Sequence, residues 1–84
     1  MDYVNFLSEY GEAMLADGFE DCIIGVGSRC GTGYLAVYSV RKILKQLMSE
    51  GFSEEEAIEH FEFNIIGAWV GDGTPIFLHD DLED

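Results

Sequence analysis

Basic residues are scarce in this chain. Only four of its 84 residues are Lys or Arg, against 17 Asp and Glu, so the formal net charge is −13. Proteins use Lys and Arg to displace the counterions of nucleic-acid phosphates, and anionic membranes attract the same residues. The sequence therefore argues against direct nucleic-acid binding and membrane attachment, and it favours a partner protein with a basic surface. The alternative is that the acidity serves solubility alone.

Long hydrophobic runs and a basic N-terminus are also missing. No window of the sequence holds the roughly 18 apolar residues that a membrane-spanning helix needs. The chain opens with Met1 and Asp2 in a polar, acidic segment that does not resemble a signal peptide. We therefore expect a cytoplasmic protein, in which Cys22 and Cys30 remain free thiols because the cytosol is reducing. Cys22 lies in an apolar segment and is expected in the core.

Motifs that carry catalytic chemistry are few. The glycine-rich segment 25–31 follows a predicted strand, but another strand follows it, which is typical of a hairpin loop rather than a phosphate site. Cys30 beside Arg29 is the one candidate nucleophile, and the sequence places neither His60 nor His79 next to it. The two cysteines and two histidines lack the paired spacing of a zinc site. We predict no enzyme, cofactor or metal, with a ligand site or enzyme at the Arg29-Cys30 loop as an alternative.

The length and the hydrophobic content of 48% indicate one compact domain. We place it over 1–79, followed by a flexible acidic tail over 80–84. The predicted elements are a helix over 3–16, strands over 22–27 and 34–38, a helix over 40–50, a helix from 53 to 61 or 63, and strands over 65–70 and 76–78. The predicted fold is α+β in the order αββααββ, with two hairpins in a small antiparallel sheet of three or four strands packed against three helices.

The helix boundaries carry the clearest local signals. Ser39 is placed to cap the second helix, and Gly51 to end it. Ser53 and Glu56 have the spacing of a capping box, in which each side chain accepts a hydrogen bond from the other residue's main chain. These residues predict where the second helix ends and the third begins.

Three acidic residues of the third helix lie at helical spacing. Glu55, Glu59 and Glu62 stand at i, i+4 and i+7, where like charges cost about 0.2–0.5 kcal/mol a pair. Near the end of a helix the dipole also opposes negative charge. A helix selected for stability alone would carry Lys here, so either solubility or a basic partner favours this face, and we predict these three residues as partner-binding. The other predicted partner-binding residues are Glu9, Glu12 and Trp69, of which Trp69 is alternatively a core residue of the last hairpin.

The few basic residues cluster on the second helix. Arg41 and Lys42 lie in its first turn, where the helix dipole disfavours cations, and Lys45 follows one turn later. Two explanations remain open from the sequence. These side chains neutralise acids elsewhere in the fold, or they face another copy of the protein.

Several short segments resemble a family of small acidic proteins encoded by bacteriophages. The resemblance is carried by Ser53-Glu54-Glu55-Glu56-Ala57, Phe61-Glu62-Phe63-Asn64, Gly67-Ala68-Trp69-Val70-Gly71 and Thr74-Pro75-Ile76-Phe77, with Arg29-Cys30-Gly31 and Ala36-Val37-Tyr38 upstream. It is tightest over 51–77 and looser from residue 22 onward. The resemblance implies a phage origin. A phage origin in turn favours a protein that disables or redirects host machinery, as anti-CRISPR and anti-restriction inhibitors do.

The leading hypothesis from the sequence is a phage accessory protein in the host cytoplasm. Its acidic surface would bind a basic host protein and inhibit or redirect it, in the manner of a nucleic-acid mimic. A non-inhibitory structural accessory protein is the main alternative. In that case the acidity would serve solubility, and an apolar surface near Trp69 would drive the formation of a homo-oligomer.

Overall fold

The structure, a computed structural model, describes residues 2–9, 13–16, 18–28, 33–68 and 74–80. Its elements are α1 (Tyr3–Ser8), a 3₁₀ turn (Glu20–Cys22), β1 (Ile23–Ser28), β2 (Tyr34–Ser39), α2 (Val40–Ser49), α3 (Glu54–His60), a π-helical segment (Phe61–Ile65), a second 3₁₀ turn (Ile66–Ala68) and β3 (Ile76–Leu78). The protein therefore belongs to the α+β class, as the sequence predicts.

The three strands form one mixed sheet in the order β1-β2-β3. The antiparallel pairing of β1 with β2 confirms the first predicted hairpin, whose loop residues 29–32 lie outside the described part of the chain. β3 pairs with β2 in parallel, with Val37 opposite Ile76 and Ser39 opposite Leu78. The prediction of a purely antiparallel sheet is therefore wrong.

The second predicted hairpin is also wrong. Residues 65–68, expected in a strand, are helical, and 69–73 lie outside the described residues. The chain leaves β2 directly into α2, passes through α3 and the π-helical segment, and only then enters β3. A helical crossover of this kind joins parallel strands, whereas a tight turn joins antiparallel ones. The apolar run from Ile65 supplies helix packing instead, and Ile65 itself is buried.

The first helix is shorter than predicted. Asp2 caps α1 by accepting a hydrogen bond from the main-chain N–H of Asn5 at 3.2 Å, but the helix ends at Ser8. Residues 13–16 are not helical, and 10–12 lie outside the described residues. The main-chain N–H of Ala16 donates to the hydroxyl of Tyr38 at 2.7 Å. This bond to a distant strand replaces the intrahelical bond that a helix over 3–16 would require.

The hydrophobic core lies between the sheet and the helices. Tyr38 of β2 is fully buried, and its ring stacks on that of Phe77 of β3 with centroids 5.8 Å apart. The ring of Phe61, from the π-helical segment, meets Phe77 edge-on at 5.5 Å. The core also contains buried residues of α1, α2 and α3: Leu7, Val40, Ile43, Leu47 and Ala57.

A β-bulge and a glycine shape the sheet. Ile23 pairs with Tyr38 and Gly25 with Val37, so one extra residue lies between the two pairs. A Cβ atom at Gly27 would approach the Cδ1 atom of Ile76 to 2.9 Å. The missing side chain thus lets Ile76 of β3 reach across β2 toward β1.

The ends of α2 and α3 form as the sequence predicts. The Ser39 hydroxyl accepts from the main-chain N–H of Lys42, Gly51 adopts a positive φ of 112°, and the capping box of Ser53 and Glu56 is complete. A positive φ is strained for residues with a Cβ, which explains glycine at the end of α2.

Asp80 adds a contact at the start of α2. Its carboxylate accepts hydrogen bonds from the Ser39 hydroxyl and from the main-chain N–H of Arg41. The guanidinium of Arg41 in turn donates to the carbonyl oxygen of Asp80. A carboxylate at a helix N-terminus is favourable, and it compensates for a cation there. Of the two explanations left open for Arg41, the structure favours its pairing within the fold. Residues 81–84 lie outside the described part.

Candidate functional site

The acidic candidates lie on different parts of the fold. Glu55 and Glu59 lie on α3 and Glu62 in the π-helical segment that follows, and all three are exposed. Glu9 is exposed just after α1, which packs against β1 and β2, whereas α3 packs against α2. The two remaining candidates lie outside the described residues: Glu12 and Trp69.

The helical conformation runs without a break from Glu54 to Ala68. The α-helix itself ends at His60, close to the predicted end at residue 61 or 63, but π-helical and 3₁₀ turns continue to Ala68, so Glu59 and Glu62 lie within the helical run. Because the dipole acts mainly in the last turn, it does not oppose these carboxylates as the sequence suggested. The like-charge repulsion between Glu55 and Glu59, four residues apart on α3, remains.

Charge is distributed very unevenly between the two halves of the chain. The first 45 residues carry six acids and four bases, whereas the eleven acids after Lys45 are accompanied by no Lys or Arg. Six of these eleven carboxylates fall between residues 50 and 62, and all six are exposed. We use the name acidic surface for this group: Glu50, Glu54, Glu55, Glu56, Glu59 and Glu62.

Four side chains of the acidic surface have no bonding role in the described structure. Glu56 takes part in the capping box, and Glu50 accepts a long contact of 3.5 Å from Gln46. Among the described residues, no hydrogen bond or ion pair engages the other four carboxylates: Glu54, Glu55, Glu59 and Glu62. Their charges are therefore available to a partner, although Glu54 and Glu55, in the first turn of α3, also interact favourably with the helix dipole.

One large apolar side chain lies beside these carboxylates. Phe63 is 77% exposed, and no other large hydrophobic residue in the described chain is as exposed. The π-helical segment directs Phe61 and Ile65 into the core and leaves Phe63 on the opposite side. Such π-helical turns occur frequently at functional sites.

Phe63 was not among the predicted binding residues, although the sequence contains a signal for its exposure. Residues two apart cannot share one face of a helix. With Phe61 in the core, Phe63 had to point away from it.

A shallow depression of about 290 Å³ lies next to the ring of Phe63. The Phe52 and His60 rings approach to 5.0 Å at one side, and the amide nitrogen of Asn64 lies 3.4 Å from Nδ1 of His60. The complete lining is Phe52, Glu56, Glu59, His60, Phe63 and Asn64. We call this feature the Phe63 depression. It combines aromatic rings with carboxylates, a chemistry suited to cations.

A second depression of about 410 Å³ contains three acids, two of which already accept hydrogen bonds. It is lined by Asp2, Tyr3, Val4, Glu20, Asp21 and Ile23. The carboxylate of Asp2 accepts bonds from Asn5, and that of Glu20 accepts from the main-chain N–H of Gly18. The Phe63 depression, which combines the Glu59 carboxylate with the highly exposed ring of Phe63, is the better candidate for binding.

The described residues offer little to the catalytic alternative. Cys22 is buried, with its thiol 3.5 Å from the side-chain oxygen of Gln46, and burial raises the pKa of this thiol. Arg29 and Cys30 lie outside the described residues, so the loop that they form stays a prediction. Within the described ranges, no three His, Cys, Asp or Glu side chains cluster as metal ligands, and no helix has the length and apolar character to cross a membrane.

Comparison of the chain with protein-family models, with curated proteins and with solved structures gave no significant match.

Proposed function

We propose that this protein is a phage accessory protein that binds a host protein through its acidic surface, and inhibits or redirects that protein in the host cytoplasm. The observation that carries the proposal is the row of exposed carboxylates on α3 and the π-helical segment that serve no bond within the described fold. The absence of any Lys or Arg after Lys45 means that no base in this half of the sequence neutralises them.

A basic protein surface is the partner that fits this charge. Complementary potentials speed diffusional encounter and set the orientation of binding. Host proteins that hold nucleic acid present such surfaces, and a rigid helix with a row of carboxylates offers them a substitute for phosphates. The resemblance to acidic phage proteins adds the biological setting, in which an anti-CRISPR or anti-restriction inhibitor is the expected type.

An exposed aromatic ring among the carboxylates supports specific recognition. Protein interfaces concentrate binding energy in a few central residues, often aromatic, within a polar rim. Phe63 has the exposure that such an anchor needs, and Glu59 and Glu62 lie near it in the chain. Charge alone would bind any basic protein, whereas the combination selects a partner whose basic surface also presents a group that packs on the ring of Phe63.

Charge reversal on two sides of the fold tests the proposal. The test pair is Glu55→Lys with Glu62→Lys, both outside the lining of the Phe63 depression. The control pair, Glu20→Lys with Asp21→Lys, changes the net charge equally, lies in the 3₁₀ turn Glu20–Cys22 and contains no predicted partner-binding residue. Host proteins captured by the tagged wild-type chain are purified, and their affinities for the three chains are measured by calorimetry at about 0.1 M and about 1 M salt.

The test pair should weaken binding at the lower salt concentration. Exposed ion pairs are worth about 0.2–1 kcal/mol each, and each reversal replaces attraction by repulsion. Two reversals should cost about 1–4 kcal/mol, so the affinity should fall at least about fivefold. The control pair should change the affinity less, and high salt should weaken wild-type binding. Equal losses for both pairs, or an affinity independent of salt, would contradict the proposal.

Self-association is a second candidate, and one feature of the sheet favours it. β3 is an edge strand of the described sheet, and its side chains Ile76 and Leu78 are 40% and 48% exposed. Exposed apolar edge strands readily pair with other chains. Sedimentation at several protein concentrations distinguishes the two functions, since self-assembly requires a mass that rises with concentration.

A further inference from the structure

We propose that the Phe63 depression binds an arginine side chain of the partner. The inference rests on the proposed function and specifies the chemistry that the acidic surface recognises. Its basis is a recess whose walls are aromatic and whose rim carries carboxylate and amide groups.

The walls suit a flat cation. The ring of Phe63 stands 77% exposed at the edge of the recess, and Phe52 packs against His60 with ring centroids 5.0 Å apart. A guanidinium stacks on aromatic faces through both cation–π attraction and planar contact. The exposed face of Phe63 is a surface on which such a group can lie, and stacking there would remove part of the ring from water.

The rim supplies negative charge and acceptors. The Glu59 carboxylate has no hydrogen bond within the described structure, so both of its oxygens can accept from a guanidinium. Hydrogen bonds from Ser53 lower the pKa of the Glu56 carboxyl, which keeps it charged at neutral pH. The side-chain nitrogen of Asn64 faces His60, which leaves its carbonyl oxygen as another acceptor.

Arginine fits this arrangement better than lysine or a metal ion. A guanidinium presents five donors in one plane and is weakly hydrated, so it can stack and bind several acceptors at once. An ammonium is compact and strongly hydrated, and it cannot stack. Metal ions need several ligands close together, and the described residues hold no such cluster.

Three blocked tripeptides that differ only in their central residue provide the test. They carry arginine, lysine or citrulline, which has the shape of arginine without its charge. Each is titrated, up to tens of millimolar, into the full ¹⁵N-labelled chain, and the amide shifts of residues 59–64 are followed. The arginine peptide should give saturable shifts there, at least about threefold tighter than lysine, and citrulline should give none.

Variants of the protein locate the binding to the recess. Phe63→Leu should weaken the arginine peptide by about two- to fivefold, because it removes the stacking surface but keeps an apolar side chain. Ile58→Leu is the matched control, since Ile58 is another exposed apolar residue of the same helix outside the lining, and it should leave binding unchanged. Glu59→Gln should weaken binding while preserving the shape of the side chain.

The outcomes separate this inference from the function on which it rests. Equal binding of the arginine and lysine peptides, unsaturable shifts, or an unchanged affinity in Phe63→Leu would each overturn the arginine site. The proposed function would survive that result if the Glu55 and Glu62 reversals still released the host protein. Saturable arginine binding together with unchanged capture by the reversal pair would instead reject the function and retain the site.

Discussion

Asp80 links the C-terminal end of the described chain to the first turn of α2, and Asp80→Asn measures the strength of that link. One carboxylate oxygen accepts from the Ser39 hydroxyl at 2.6 Å, and the other accepts from the main-chain N–H of Arg41 at 2.9 Å. The amide of asparagine has one acceptor oxygen, so at least one bond is lost. The substitution also removes a negative charge from a helix N-terminus.

The expected cost of Asp80→Asn is about 1–2 kcal/mol. Loss of a capping bond typically costs about 1 kcal/mol, and loss of the interaction with the helix dipole about 0.3–1 kcal/mol. In a domain of this size, such a change lowers the melting temperature by about 5–15 °C. Glu62→Gln is the control, because it removes one charge from an exposed residue without described bonds and away from the start of the helical run, and it should shift stability by less than about 0.5 kcal/mol. Equal effects of the two substitutions would refute the structural role of Asp80.

The pH dependence of the same variant provides an independent check. Burial alone would raise the pKa of Asp80, but hydrogen bonds from Ser39 and Arg41 and the charge of Arg41 outweigh it and hold the pKa below the ordinary value of 3.8. Because the folded pKa is the lower one, the stabilisation is complete above the unfolded pKa and is lost as the pH falls through the folded pKa. The difference between wild type and Asp80→Asn in urea denaturation should be constant near neutrality and shrink below pH 3.8. A difference that stays constant down to about pH 2 would contradict this.

Two further predictions concern buried groups. Tyr38→Phe should lower the free energy of unfolding by about 1–3 kcal/mol in urea denaturation, because the buried N–H of Ala16 loses its acceptor. A loss below about 0.5 kcal/mol would show that the fold does not need this hydrogen bond. In a Cys30→Ser background, the Cys22 thiol should react with a disulfide reagent far more slowly in the folded chain than in urea, since it is 2% exposed and burial raises its pKa. Equal rates in both states would place Cys22 at the surface.

Features with a local cause were predicted well from the sequence. The cap at Ser39, the capping box of Ser53 and Glu56, and the glycine at position 51 all act within one turn of the chain, and all are present. The first hairpin has the same character, because two apolar segments separated by turn-forming residues pair with each other. Each of these signals depends only on residues that lie close together in the chain, so the sequence is enough to detect it.

The two mistaken elements share a cause that lies elsewhere in the chain. Residues 13–16 were predicted as helix from their spacing, but the N–H of Ala16 bonds to Tyr38 of β2. Residues 65–68 were predicted as strand from their apolar character, but Ile65 packs beside Phe61 in a helical run. A short apolar segment fits either type of structure until its packing partners are known.

The candidate site was predicted in part. The charge and exposure of Glu55, Glu59 and Glu62 follow from their number and spacing. The exposed ring of Phe63 and the depression beside it were missed, because they depend on which side of the helical run packs against the rest of the fold. Their function in binding stays a proposal until the variants are measured.

The sequence by itself determined the large negative charge, the concentration of acids after Lys45, and the local ends of α2 and α3, since these depend only on composition and on neighbours in the chain. Only the tertiary structure decided the parallel pairing of β3, the helical path of residues 65–68 and the exposure of Phe63. The physical reason is that each of these depends on contacts between residues far apart in the chain. Burial and hydrogen bonding across the fold outweigh the preferences of a short segment.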